Sequence, residues 1–343
     1  MNKVHLKFGP ALMAVGLLLA ACGSASSSSS TATSKASTNS AATSSSEPLV
    51  YVVGYIANNP FWNAEGKGAQ EAGKLFHVNV RYEAPATAGT SGMTNIIHAA
   101  LGAHPAGIAI DYTGKSMEKP VLAAINSGVK VVLYNNNRFG PANGGQTKNP
   151  LVTNLGFSGQ NEHLSGAKLA TAFLKYLPPG GGTVLVGNAF PQASVLTLRY
   201  HGVSQVLSAH GYKTALLNLT ANEANDQTVI GSYLAAHPKT VGFIGLSGDI
   251  ETNAAAQYIS SQHLNIPLAT FDIDPHTVAL MKSVKTYDVA LDQQPYLQGF
   301  YAVANLAMQL KYGFAPIQMN TGSLIVTKSN LAAATKLVAK GVD

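Results

Sequence analysis

Along this 343-residue chain, most apolar runs end in a carboxylate, an amide or a guanidinium. After L-V-Y-V-V-G-Y-I (49–56) come Asn58, Asn59, Pro60, Phe61 and Trp62. Asp111 closes A-G-I-A-I-D (106–111), and Asn135, Asn136, Asn137 and Arg138 follow V-K-V-V-L-Y (129–134). Asn188 and Phe190 follow T-V-L-V-G (183–187), with Arg199 a few residues on. Ser247, Gly248 and Asp249 follow V-G-F-I-G-L (241–246). Asp272 ends I-P-L-A-T-F-D (266–272), and Gln293 and Gln294 follow Y-D-V-A-L-D (287–292). Such groups donate to and accept from the hydroxyls of a small molecule, and an aromatic face covers its C–H side. Phe61 and Trp62, the single Trp, are expected to form that platform, stiffened by Pro60. The alternative is that one or both pack under the first helix.

Other chemistries find less support. Gly66-Lys67-Gly68 starts a dinucleotide fingerprint but lacks its third Gly and lies in a helical stretch, so close packing explains it better. There is no phosphate-binding G-x-x-x-x-G-K-[ST]. Gly245-Leu246-Ser247-Gly248-Asp249 nearly forms a hydrolase elbow, with Asp249 where the last Gly belongs. The ten His include no H-E-x-x-H pair, and His98 and His104 have no partner at ligand spacing. Asp111, Asp249 and Asp272 could act as general acids or bases. They are mixed with amides rather than set beside a nucleophile, so no enzyme, cofactor or metal is expected.

Two kinds of element must position these groups. The apolar runs named above, with V-N-V-R-Y (78–82) and K-T-A-L-L-N-L (213–219), read as strands. Ala-rich helical stretches lie between most of them, among them 62–76, 92–103, 116–127, 160–176, 194–210 and 250–262. Near-continuous apolar strands alternating with helices define an α/β fold with parallel sheets covered on both faces. The number of units exceeds one sheet, so two doubly wound domains are expected, dividing near residue 155. Ligands of such sheets bind outside the carboxyl ends of the strands.

Upstream, Lys3 and Lys7 precede an apolar run that ends in L-A-A-C, Leu19 to Cys22. This is a secretory signal, and its end resembles a bacterial lipobox, which implies lipid attachment at Cys22. Cys22 is the sole Cys, so the exported part has no disulfide. Residues 23–47 are Ser/Thr/Ala-rich and read as a flexible tether. Of 22 basic residues, Lys3, Lys7 and Lys35 lie outside the folded part, leaving 19 against 16 acidic ones. No basic run with interleaved aromatics supports nucleic-acid binding. Charged residues make up 11% of the chain against the usual ~25%, which suits acidic surroundings.

With N-N-P-F-W (58–62), H-P-A-G-I-A-I (104–110) and L-D-Q-Q-P-Y-L-Q-G (291–299), the chain resembles the type I periplasmic binding proteins of ABC sugar importers, in particular those of the ribose-binding type. The resemblance spans roughly residues 48–328 and implies two Rossmann-like lobes joined by a three-stranded hinge. The first lobe would be 48–155 plus 294–320, and the second 156–293 plus 321–343. It implies ligand contacts from Asn59, Phe61, Trp62, Asp111, Asn135 and Asn136 in the first lobe. In the second it implies contacts from Arg199, Asp249 and Asp272, with Gln293 at the hinge. Asn135 and Asn136 stand where ribose binders have Asp-Arg. The loss of that charge-assisted clamp points to another neutral sugar, a polyol or a furanose-like signal molecule. The partners implied are an ABC permease and its ATPase, with a monomeric binding protein held at the membrane through Cys22. The alternative is a sensor of the same build, feeding a chemoreceptor or membrane kinase.

Overall fold

The computed structural model describes residues 47–136, 149–191 and 193–343; the expected signal segment, Cys22, most of the expected tether, Asn137 and Arg138 lie outside them. The first lobe runs β1 (Leu49–Val53), α1 (Pro60–Phe76), β2 (Asn79–Glu83), α2 (Thr90–Gly102), β3 (Gly107–Asp111), α3 (Glu118–Asn126), β4 (Lys130–Tyr134), α4 (Pro150–Thr153) and β5 (Gly156–Gly159). The second runs α5 (Glu162–Phe173), β6 (Gly182–Asn188), α6 (Ser194–Ala209), β7 (Tyr212–Asn218), α7 (Glu223–Ala236), β8 (Thr240–Gly245), α8 (Asp249–Ser261), β9 (Leu268–Phe271), α9 (Pro275–Ser283) and β10 (Tyr287–Asp292). The chain then returns through α10 (Pro295–Tyr312) and β11 (Gln318–Asn320), and ends in β12 (Leu324–Thr327) and α11 (Leu331–Val338).

Two six-stranded sheets result, ordered β11-β5-β4-β3-β1-β2 and β12-β10-β9-β8-β6-β7. Central strands such as β3 are buried throughout, whereas the edge strand β2 alternates between exposed and half-buried positions. This is the contrast expected between a strand covered on both faces and one at a rim. Among the described residues all pairings are parallel except β10 with β12, which is antiparallel.

The boundary expected near residue 155 lies further on. G-F-S-G (156–159) is strand β5 of the first sheet, pairing with β4 through Leu133 and Phe157 and with β11 through Gln318 and Phe157. Its single apolar residue hides it as a strand. Phe157 nevertheless enters the core, and Gly156 admits the Asn305 side chain where a Cβ would meet it at 2.4 Å. The chain crosses between lobes at Gln160–Asn161, at Gln293–Gln294 and between β11 and β12.

Glycines set the helix spacing symmetrically in the two lobes. A Cβ on Gly68 of α1 would meet the Tyr296 carbonyl at 2.0 Å, and one on Gly299 of α10 would meet the Glu65 carbonyl at 2.0 Å. Likewise a Cβ on Gly166 of α5 would meet the Arg199 carbonyl at 2.2 Å, and one on Gly202 of α6 would meet that of His163 at 2.1 Å. The Gly66-Lys67-Gly68 motif is therefore a packing device. The segment after α11 reaches back to the first lobe: Lys67 donates to the Lys340 carbonyl, and the Tyr296 amide donates to that of Asp343 at 3.1 Å.

Candidate functional site

At the carboxyl end of β1, Asn59 caps α1, its Oδ1 accepting from the Trp62 amide at 3.4 Å, with Pro60 in the first turn. Both are standard helix-start devices. They turn Trp62 inward: it is 8% exposed and packs with Val50, Val52 and Ala69. Phe61 lies edge-on to it at 5.2 Å and Tyr55 is tilted at 5.9 Å. The apolar stripe of α1 thus sets the indole against the first-lobe core, the alternative to an open platform. Phe61 remains half-buried at the lobe rim.

Asp111, at the end of β3, is fully buried. Its Oδ1 accepts from the Asn136 amide at 3.3 Å and from Asn136 Nδ2 at 2.6 Å, while Oδ2 has no partner among the described residues. Burial pushes its carboxyl up to about 7, against the lowering effect of the Asn136 bonds. Asn136 Nδ2 also donates to Asn135 Oδ1 at 2.9 Å. Asn135, at left-handed φ 57°, donates to Glu65 Oε1 at 3.2 Å and Gln298 Oε1 at 3.0 Å. Both Asn135 protons therefore point into the lobe.

In the second lobe, Arg199 donates to Glu162 at 2.6 Å, to the Leu246 carbonyl at 2.7 Å and to Gln293 Oε1 at 2.7 Å. Its guanidinium lies 4.3 Å over the Phe271 ring, and the residue is 5% exposed. Arg199 is thus an internal strut as well as a candidate ligand contact. Gln293 Oε1 also accepts from Gln160 at 2.9 Å, and its amide nitrogen donates to Asp272. Asp272 is half-buried at φ 63°, beside Gly248 at φ 106°, where a Cβ would meet Asp272 Oδ2 at 2.6 Å. Gly248 is required there by both the φ and the close approach. Asp249 opens α8, and its side chain lies outside the description. Phe190, at the end of β6, is 38% exposed and gives this lobe an aromatic at its rim.

Six of the expected residues thus join one hydrogen-bonded network: Asp111, Arg199 and Gln293, which are buried, and Asn135, Asn136 and Asp272, which are half-buried. Gln298 closes it, accepting from Asn135 and donating to the Gln293 carbonyl at 3.1 Å. Six members were not expected: Gln160, Glu162, Ser165, Ser323, Glu65 and Gln298. Gln160 donates to Glu162 and Gln293 at 2.9 Å each, and Ser165 donates to Gln160 at 2.9 Å. Ser165 also meets Ser323 of the third crossing at 2.8 Å. Glu65 and Gln298 occupy the inward stripes of α1 and α10, beside Trp62 and Ala69 and beside Ala302. A polar residue in an apolar stripe was the available signal. Among the described residues no group of His, Cys, Asp or Glu could hold a metal, and no helix is long and apolar enough to cross a membrane.

The family model described as "Periplasmic binding protein domain" matches residues 50–313, and the chain belongs to that family. It is 27% identical over 296 residues to a xylose/arabinose-binding protein of Sulfolobus acidocaldarius, covering 82% of this chain and 71% of that one. A solved ABC transporter solute-binding protein from Burkholderia graminis, in complex with D-arabinose, is similar at 26% identity and TM-score 0.73. The match covers 84% of this chain and 98% of that one. A carbohydrate transporter structure from Acidothermus cellulolyticus, in complex with myo-inositol, shares the fold at TM-score 0.72 and 24% identity, over 87% of this chain and 100% of that one. The two sheets, their helices and the three crossings are those of a type I periplasmic binding protein, whose role is to bind a substrate.

Proposed function

We propose that this chain binds a neutral monosaccharide or polyol between its lobes and delivers it to an ABC permease, held at the outer face of the membrane by lipid on Cys22. The observation that carries the reading is the Asp111–Asn136–Asn135–Gln298–Gln293–Asp272 network, which connects strand ends of both lobes through the hinge. A ligand bonded to both strand-end rows favours the closed arrangement by its contacts to the two lobes at once. Acidic and amide groups predominate, and Arg199 is committed to Glu162, so a neutral ligand rich in hydroxyls fits better than an anionic one. Phe61 and Phe190 provide apolar faces at the two rims. The binding of pentoses by the Sulfolobus and Burkholderia relatives supports the same class.

The test is a thermal-shift screen of the full chain against pentoses, hexoses and polyols, with amino acids and nucleosides in the same panel. A ligand at about 100 times its Kd adds ~2.7 kcal/mol, several degrees for a protein of this size. A shift with a neutral sugar or polyol supports the reading. Shifts confined to amino acids or nucleosides overturn it.

A further inference from the structure

Behind Asn135, four buried polar oxygens from four elements have no hydrogen-bonding partner among the described residues: Glu65 Oε2 on α1, Tyr82 Oη on β2, Asp111 Oδ2 on β3 and Tyr134 Oη on β4. Glu65, Asp111 and Tyr134 are fully buried, and Glu65 lies on the inward face of its helix. The lobe is shaped around the group. Gly54 and Gly66 leave room for Tyr82, since a Cβ on Gly54 would meet its hydroxyl at 2.3 Å and one on Gly66 its ring at 3.0 Å. Native proteins seldom leave such atoms unpaired, and a cluster of them marks a place for an O–H group that both donates and accepts. We propose that Glu65, Asp111, Tyr82 and Tyr134 form an inner subsite of the cleft that holds one O–H group, and that Glu65 is a specificity-determining residue of this protein. The inference rests on the sugar-binding reading above.

The chemistry follows from the partners. Glu65 Oε1 accepts from Asn135, which leaves Oε2 to carry a proton when the acid is neutral. Neutrality is favoured because the titratable groups around it are Asp111, Tyr82 and Tyr134 of its own lobe and Asp272 of the other, with Asn135 and Gln298 as neutral neighbours. No Lys or Arg among the described residues pairs with either carboxyl. Burial and the Asp111 charge raise Glu65 well above the usual carboxyl range. Glu65 then donates to the bound oxygen while ionised Asp111 accepts its proton. A hydroxyl of the sugar satisfies both, and so does a water that relays one.

The test is calorimetric titration of the full chain with D-xylose and D-arabinose and their monodeoxy analogues, from about pH 5 to about pH 9. Expected for the native chain is affinity that falls below about pH 7 as Asp111 takes up its proton, and that declines on the alkaline side as Glu65 ionises. Glu65→Gln, whose amide donates without titrating, flattens that decline, and Glu65→Leu lowers affinity roughly tenfold or more. If Glu65→Leu erases discrimination against one deoxy position alone, the group is the sugar's own hydroxyl. If affinity falls equally for all analogues, it is a relaying water. If Glu65→Leu changes the melting temperature but neither affinity, discrimination nor the pH profile, Glu65 is structural and the inference is overturned. If the native chain binds neither pentose nor any polyol, the sugar reading itself falls, and this inference with it.

Discussion

The side chains of Gln160 and Gln293 lie on different crossings between the lobes and meet at 2.9 Å. Each amide is engaged through both its nitrogen and its oxygen: Gln160 also engages Glu162 and Ser165, and Gln293 engages Arg199 and Asp272. Replacing Gln293 by Ala removes one acceptor of Arg199 and unties two crossings. The expected loss is roughly 1–3 kcal/mol of stability in urea unfolding, together with weaker sugar binding by titration calorimetry. A loss of stability with unchanged affinity would show that the pair serves the fold alone.

Arg199 and Glu162 are both buried and bonded at 2.6 Å. Removing one partner leaves a charge in a dry environment, so Arg199→Met is expected to destabilise by about 3–5 kcal/mol. Arg199→Met combined with Glu162→Leu should recover much of this. A double-mutant cycle in urea checks it, and simple additivity would contradict the arrangement.

Asp272 is suited to a cleaner separation of binding from folding. Its left-handed φ of 63° disfavours Ala, whereas Asn tolerates that region. Asp272→Asn should therefore change stability little and weaken sugar binding by about tenfold or more, because a charge-assisted bond becomes a neutral one. Unchanged affinity would remove Asp272 from the site.

Stability should rise in mild acid. Burial raises Asp111 and Asp292 to about 7 from an ordinary 3.8. Between those values the folded chain holds protons that the unfolded chain has released, so stability decreases as pH rises from about 4 to about 7. The melting temperature at about pH 4 is expected to exceed that at about pH 7.5, and Asp292→Asn should flatten the difference. Calorimetric scans that show the reverse slope would sink this reading.

Trp62 offers a fifth check. As the single Trp, buried among Tyr55, Phe61 and the first-lobe core, it should emit at short wavelength and shift red on unfolding. Trp62→Ala is expected to cost about 3–5 kcal/mol as a core deletion. Solvent-like emission from the native chain would restore the open platform.

The sheets were legible where strands are long and apolar, as at Leu49–Val53 or Gly107–Asp111. Three short strands escaped: Gly156–Gly159, Gln318–Asn320 and Leu324–Thr327. Their pairing is decided by neighbours distant in the chain, not by their own composition. Strand-end residues such as Asp111 and Asp272 could be read from position alone. The orientation of Trp62 could not, because it depends on which face of the helix meets Val50 and Val52. Glu65 and Gln298 went unread because stripe analysis counts apolar residues and passes over the polar one among them.

The paired glycine contacts of α1 with α10 and of α5 with α6 have a mechanical corollary. Backbones this close cannot slide past one another without collision, so each helix pair behaves as a stiff plate. Relative movement of the lobes is then confined to the three short crossings, and a few degrees of rotation there become a much larger sweep at the far rims, as with the jaws of a long-handled clamp.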